Sequence, residues 1–403
     1  MRSHSMMVRV SVFGILLFAF SIPVSHVPAQ FAIAIAFLGW IAEGVAHHRW
    51  QMRWHPMFWA LIAYLAWNTL AAGISERPMH SLGAVLDNEW PLFIMLMMYW
   101  IVDNEKDLQR IVQIFLLVSS VAMLYALWQV VGGVEFYRHK TLDSMGWGFY
   151  RAVGFYGFYL TFAALAMTVF FIASAYSLEF KKWYTTALSG ISFLAVLGTF
   201  ARSMWLSFGA AIPLLAFSRG KKMGIAVTGI LFLIIVGGIL TVPAIRYRAE
   251  SIIEPGQNET RLNLWKTAIK VGEHNPLTGV GEDNWDLVFD RYRVEGYYDT
   301  TVHPHNDYLT VLVSSGVPGL AAFLSMWGVV LFRGFRTGIR AANGIARAAA
   351  LGGTFALIGL MIGGMFQNYY GTFINCLEWW FVVGLILSAE KLETLSTDPV
   401  GAA

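Results

Sequence analysis

The residues of this chain best equipped for chemistry lie in one short run, Thr301-Val302-His303-Pro304-His305-Asn306-Asp307-Tyr308-Leu309. A histidine can accept a proton near neutral pH, so His303 or His305 is a candidate general base. The run opens an apolar stretch, and the N-terminus of a helix there would favour an anion. The same histidines equally suit plain polar contacts at a membrane surface. Arg202 is the second feature, the one charge between two apolar runs in Thr199-Phe200-Ala201-Arg202-Ser203. Its guanidinium suits a phosphate clamp and equally suits snorkelling to lipid headgroups. Arg261 stands at the start of an amphipathic stretch, where the helix dipole disfavours a cation and a bound anion would relieve the misfit. Arg77 is a weaker candidate of the same kind. A metal has two possible ligand sets, His303, His305 and Asp307, or Glu282, Asp283 and Asp286, but neither spacing is diagnostic. Aromatic residues crowd the same side, namely Trp147, Tyr150, Trp285, Tyr297, Tyr298, Tyr308, Tyr369 and Tyr370. An interfacial belt accounts for most of them, leaving one or two to stack on sugar rings.

Something must hold these groups in place, and composition says what. Of 403 residues 57% are hydrophobic and only 13% charged, with a mean hydropathy of +0.57. Soluble domains carry about 25% charged residues. Apolar runs of roughly 18–22 residues recur along the whole chain, the length a helix needs to cross hydrocarbon. Lipid offers the backbone no partners, so these runs must be helices. They fall at 8–26, 29–46, 56–74, 83–102, 110–131, 153–178, 183–200, 204–217, 223–243, 307–332, 348–365 and 373–390. The expected fold is thus an all-α polytopic membrane protein of about twelve spans. Residues 1–243 hold nine of them, 244–306 form one long loop, 307–390 hold three more, and 391–403 form a short polar tail. Arg2 and Arg9 before an apolar stretch, with Val27-Pro28-Ala29 behind it, also resemble a signal peptide, although first spans of polytopic proteins look the same.

Short loops rich in lysine and arginine orient the spans. Arg49/Arg53, Lys106/Arg110, Lys181/Lys182, Arg219/Lys221/Lys222 and Arg333/Arg336/Arg340/Arg347 all fall on one side with Arg2 and Arg9. That side is read as cytoplasmic, with both termini there. Arg77, the 132–152 loop, the Arg202 turn, the 244–306 segment and the 366–372 turn lie opposite. Within the long segment, Thr260 to Val271 predicts an amphipathic helix with Leu262, Leu264, Trp265, Ala268 and Ile269 on or near one face. Asn258, Glu259 or Thr260 would cap it, and Asn275, Pro276, Gly279 and Gly281 mark turns. Gly316, Pro318 and Gly319 predict a kink in the tenth span.

The net charge of +3 is small and unclustered, which argues against nucleic acid. The single cysteine, Cys376, excludes an intrachain disulfide and a cysteine metal site. The spans read as almost free of ionisable residues, Glu43 and Asp307 lying near their ends, which argues against an ion-coupled transporter. No internal repeat appears, and the long loop is not at a midpoint. No Gly-rich phosphate loop precedes a helix, and no nucleotide pool exists outside the cytoplasm. A lipid-linked pyrophosphate is then the natural activated donor for a site at the bilayer surface.

Three elements, in order, resemble the bacterial O-antigen ligase and polymerase superfamily. They are Thr199-Phe200-Ala201-Arg202-Ser203, the run RLNLWKTAIKVGEHNPLTGVGEDNW, and HNDYLTVLVSSGVPGLAAFL. Together they cover 199–325. The family often has Ser-Arg at the first element, where this chain has Ala201-Arg202, and His303 is an additional histidine. The resemblance implies a GT-C type glycosyltransferase in the bacterial inner membrane, working on its periplasmic face. It implies an inverting, metal-independent transfer from an undecaprenyl-pyrophosphate-linked glycan to a hydroxyl, with no cofactor. His305 would be the base, Arg202 and Arg261 would hold the pyrophosphate, and Arg77, His303, Asn306 and Tyr308 would line the substrate site. Ligation of O-antigen to lipid A–core is the expected activity. A repeat-unit polymerase would use the same donor. A protein-directed relative is disfavoured because the chain stops soon after the last span. A lipid-linked glycan flippase or a non-catalytic assembly partner are the readings from other classes. The flippase would need charges lining the bundle.

Overall fold

A computed structural model describes residues 5–48, 50–342 and 344–397. Arg2, Arg49 and residues 398–403 of the expected tail lie outside the described residues. The fold is almost wholly helical. Helix α1 (Met6–Ser21) packs antiparallel on α2 (His26–His47). Glycines let the two backbones approach closely: a Cβ on Gly14 would lie 2.5 Å from the Ala36 nitrogen, and one on Gly39 2.6 Å from the Ser11 hydroxyl. Small residues at such contacts are how membrane helices associate without a hydrophobic force between them. Next come α3 (Met57–Gly73), α4 (Pro78–Glu89), α5 (Phe93–Ile101) and α6 (Glu105–Gly132). Two small antiparallel ribbons follow, β1 (Val134–Glu135) with β2 (Lys140–Thr141), and β3 (Ser144–Gly146) with β4 (Phe149–Tyr150). The chain returns to helices with α7 (Tyr159–Phe180), α8 (Trp183–Gly198), α9 (Arg202–Ser218), α10 (Lys221–Thr241) and α11 (Pro243–Ile253). The long loop carries α12 (Glu259–His274) and α13 (Trp285–Tyr292), and α14 (Asp307–Arg340), α15 (Gly344–Gly364) and α16 (Phe373–Thr397) complete the chain.

Seven of these helices, α2, α6, α7, α10, α14, α15 and α16, are long and apolar enough to cross a membrane, and α1, α3 and α8 are shorter apolar helices. The centre is α15, which packs on α7, α9, α14 and α16. Its run of alanine and glycine permits that: a Cβ on Gly352 would meet the Ile172 Cα at 2.8 Å. Trp327 of α14 and Trp379 and Trp380 of α16 fill the neighbouring core with Phe323 and Tyr370. Helix α10 is the opposite case. Only Gly224 and Leu231 of its residues are buried, and it packs on α9 and α11.

The structure departs from the sequence reading in several places. The expected span at 83–102 is not one helix. A 3₁₀ turn, Trp90-Pro91-Leu92, separates α4 from α5, because Pro91 has no N–H to continue an α-helical ladder. The helix expected from 153 starts at Tyr159, and α16 runs on through the expected tail to Thr397. The buried face of α12 is Leu264, Ala268 and Val271, packed on Trp285, Val288, Phe289 and Val313, whereas Leu262 and Ile269 are exposed. Spacings of four and three define that stripe, and Leu262 and Ile269 lie on another. None of the three expected residues caps α12: Asn258 turns back to donate to the carbonyls of Ser251, Ile252 and Glu254.

The interior is also less free of ionisable groups than expected. Glu89 is buried and accepts from the hydroxyls of Tyr64 (3.1 Å) and Tyr370 (2.7 Å), and Glu378 is buried beside Asn375 (3.2 Å). The two tyrosines of Glu89 lie on other elements, so a reading by spans misses them, whereas Asn375 stands one turn before Glu378 on the same helix. The argument against transport from missing internal charge therefore falls away.

The kink expected in α14 is a true break at Gly316, with φ 66° and ψ −169°. It frees carbonyls that the long loop then pairs. The Val280 and Gly281 amides donate to Val313 (2.8 Å) and Ser314 (3.0 Å), and the Trp67 indole of α3 donates to Ser315 (2.9 Å). In return the Val317 amide donates to Pro276 at 2.8 Å. A Cβ at Gly316 would fall 2.3 Å from the Leu277 carbonyl oxygen. Gly316→Ala should lower stability by about 1–3 kcal/mol, the usual cost of a strained backbone. Gly328→Ala, with nothing within 4 Å of its Cβ, should change little. Thermal unfolding of the two purified variants in detergent checks the contrast.

Candidate active site

The break in α14 places the N-terminus of that helix under the loop and against the 366–372 turn. Asn306 caps α14 by accepting from the Leu309 amide (3.0 Å), and its Nδ2 donates to the Met365 carbonyl (2.8 Å). Asp307 is buried, and its Oδ1 accepts from the Tyr370 amide at 3.0 Å and from Gly371 at 3.5 Å. Tyr308 donates to the Met361 carbonyl at 2.7 Å. These three residues tie the start of α14 to the end of α15 and the turn after it, and so fix the height of the histidines.

His305 sits with φ 53°, in the left-handed region, which is uncommon outside glycine and costs energy unless its surroundings hold it there. Its amide donates to His303 Nδ1 at 3.1 Å, and the two rings lie 4.1 Å apart. Its Nδ1 faces Gln367 Oε1 at 2.7 Å. An amide oxygen only accepts, so the proton resides on Nδ1 and Nε2 keeps its lone pair. His303, by contrast, spends its Nδ1 lone pair on the backbone. Burial, together with His305 beside it, pushes His303 down to about 4. Burial also holds His305 below the ordinary histidine range, opposed by the bond to Gln367 and aided by the charge of Arg261. Both rings are thus neutral at pH 7.

Beside this pair the structure gathers arginines. Arg261, in the first turn of α12, is lowered by burial and by the charge of Arg202, and its Nε is buried without a partner. Arg202, the first residue of α9, donates Nη1 to the Ser251 carbonyl of α11. Arg248 of α11 answers with Nε on the Phe200 carbonyl at 2.8 Å. Burial, Arg151 and Arg202 push Arg248 down to about 10. Tyr369 reaches in from the turn, its hydroxyl 2.9 Å from that of Ser203, and burial pushes it above the usual phenol range. A neutral imidazole with a free Nε2 next to packed guanidinium groups is equipped to take a proton from a hydroxyl while stabilising an anion.

Of the residues singled out in the sequence, His303, His305, Arg202 and Arg261 come together here. Arg77 does not join them. It pairs with Asp286 of α13 at 3.0 Å. Asn306 and Tyr308 spend their polar groups on carbonyls of the bundle. The two candidate metal-ligand sets diverge: Asp307 turns to Tyr370, Glu282 to Asn88 (3.1 Å) and Asp283 to His80 (3.0 Å). Among the described residues no three histidine, cysteine or acidic groups are placed to share an ion. Of the aromatic residues assigned to a belt, Trp285, Tyr369 and Tyr370 are instead buried. Sequence reasoning missed Gln367, Arg248 and Arg151. Gln367 carries no motif, and the two arginines looked like ordinary loop charges.

No curated protein matches the sequence. Residues 187–324 match the family model described as O-antigen ligase. That stretch includes Arg202, Arg248, Arg261, His303 and His305, and leaves Arg151 and Gln367 outside it. On this match residues 187–324 carry a domain of the O-antigen ligase family, in keeping with the resemblance to the O-antigen ligase and polymerase superfamily.

Proposed function

We propose that this protein ligates O-antigen to lipid A–core on the periplasmic face of the inner membrane, taking the glycan from undecaprenyl pyrophosphate. The observation that carries this reading is the bond of His305 to Gln367, beside Arg261. The acceptor hydroxyl gives its proton to His305 Nε2 as its oxygen attacks the anomeric carbon. The bond from that carbon to the pyrophosphate breaks, and the leaving oxygen keeps the electron pair. Attack from the face opposite the leaving group inverts the anomeric centre. Arg202 and Arg261 hold the pyrophosphate and stabilise the charge it gains. Gln367 is a positioning residue that keeps the proton on Nδ1. His303 braces the His305 backbone. The ligase reading follows the description of the matched family and the single compact loop, and a GT-C type architecture fits the many helices with one large loop.

The direct test is complementation of a ligase-deficient strain with a matched O-antigen and core. Wild type should restore the lipopolysaccharide ladder, and His305→Ala at equal membrane level should not. A ladder from both would remove His305 as the base. No ladder from wild type, with rescue of a polymerase-deficient strain, would make the protein a polymerase.

The pH profile tests Gln367. Because His305 is lowered, the base form is present above its pKa and lost as pH falls through it. The acid limb of kcat/KM should therefore have its midpoint below the ordinary histidine value of about 6.5. Gln367→Glu should move that limb upward by placing a carboxylate on Nδ1. Gln367→Ala should reduce kcat, by less than the roughly 10²–10⁴-fold that a general base supplies. Limbs that coincide in all three proteins would remove Gln367 from this role.

Topology is open to labelling. In a Cys376→Ser background, Gly256→Cys should react with an impermeant maleimide from the periplasmic side of intact cells. Labelling only after lysis would overturn the orientation and the choice of donor with it.

A further inference from the structure

The positive charge at this end of the bundle extends past the arginines nearest His305. Arg151, just before α7, lies with its guanidinium 4.1 Å over the Tyr159 ring, and its Nε is buried without a partner. Arg248 lies within the field of both Arg151 and Arg202, and Arg202 within that of Arg261. The four therefore form one continuous track that ends beside His305. Among the described residues no carboxylate lies within ion-pair distance of Arg248 or Arg261, and Arg151 has only Asp143 at 3.5 Å, whose side chain is 75% exposed.

A purely structural role accounts for part of this. The Arg248–Phe200 and Arg202–Ser251 bonds clasp α9 to α11. The clasp takes one donor from Arg248, and a guanidinium has five. It gives no reason to bring four like charges together in partly buried surroundings, which costs stability. At the other end of the same helices the chain behaves differently. Arg219 and Arg347 share Glu179 at 3.0 and 3.1 Å, and Arg333 pairs with Glu390. Carboxylates are supplied where arginines serve the fold alone, which leaves the track as a place for an anion from outside.

We infer that Arg248 and Arg151 form a second phosphate subsite, which takes the lipid-side phosphate of a polyprenyl pyrophosphate while Arg202 and Arg261 take the sugar-side phosphate. This rests on the donor reading given above. The direction follows from α10. That helix is apolar, almost unburied, and runs directly into the helix that carries Arg248. Around Arg248 the surface is of interfacial type, with Tyr247 50% and Ile253 84% exposed and the Trp147 ring 6.4 Å from Tyr247. A prenyl tail lying along α10 delivers its first phosphate to Arg248 and Arg151. The second phosphate, with its glycan, then reaches Arg202, Arg261 and His305.

The test is a double comparison in lipid nanodiscs, with the full chain titrated with a polyprenyl monophosphate, the pyrophosphate and the free alcohol of one chain length. Arg248→Gln and Arg151→Gln should each weaken both phosphate lipids by about tenfold, the effect of one charge-assisted hydrogen bond. Arg261→Gln should weaken the pyrophosphate similarly and leave the monophosphate within about twofold of wild type. Unchanged monophosphate binding in both Arg248→Gln and Arg151→Gln overturns the second subsite and leaves the donor reading standing. Wild-type protein that prefers neither phosphate lipid to the alcohol overturns the donor reading itself. Arg151 lies on a different element, so if Arg248→Gln does not fold, the Arg151→Gln titration decides by the same criteria.

Discussion

A helix within hydrocarbon can leave no carbonyl unpaired, and much of this molecule follows from how it meets that constraint at Gly316. The break there takes the carbonyls of Val313, Ser314 and Ser315 out of the ladder of α14. The amides of Val280 and Gly281 and the Trp67 indole pair them instead. The long loop is therefore pinned to the bundle by backbone bonds. Packing of Leu264, Ala268 and Val271 against Trp285 and Phe289 then sets α12 on that anchor. Arg261 inherits its position from these contacts, and His305 inherits its own from the α14 start and the turn that receives it.

Electrostatics distinguishes two clusters of cations at opposite ends of the helices. At one, Glu179, Glu390 and Asp103 neutralise Arg219, Arg347, Arg333 and Lys391. At the other, arginines face each other and are lowered by mutual repulsion as well as burial. The first arrangement serves the fold and is complete in itself. The second gathers positive charge, and it adjoins a histidine lowered by burial. Charge stabilisation and proton acceptance thus stand side by side, with Asp299 the carboxylate whose field reaches both Arg261 and His305.

Much of the fold was legible because lipid imposes long apolar runs, and the break at Gly316 announced itself through Gly316, Pro318 and Gly319. Local chemistry hid the rest. Pro91 divides an apolar run whose hydropathy continues unbroken. The ribbons between α6 and α7 are two or three residues per strand, too short for any alternation to register. His305, Arg202 and Arg261 were visible from residue type and setting. Gln367 was not, because its role depends on the 366–372 turn being drawn up to Asp307. Arg248 was not, because a cation in a long basic loop looks solvated until α11 is seen clasped to α9. Glu89 was missed because the tyrosines that make its buried carboxylate tolerable, Tyr64 and Tyr370, come from elsewhere in the chain; Glu378 was missed although Asn375 stands one turn before it.

One consequence concerns the bilayer itself. With 21 residues, α10 is about 31 Å long, close to the thickness of a hydrocarbon core. Most of it meets lipid rather than protein, so its tilt answers to hydrophobic mismatch more readily than that of α7 or α15, which neighbours fix on all sides. Val242 alone separates it from α11, which carries Arg248 and receives Arg202. A thicker or thinner membrane therefore acts on the arginine track through one lever arm, and lipid composition becomes a variable of the site as much as of the surroundings.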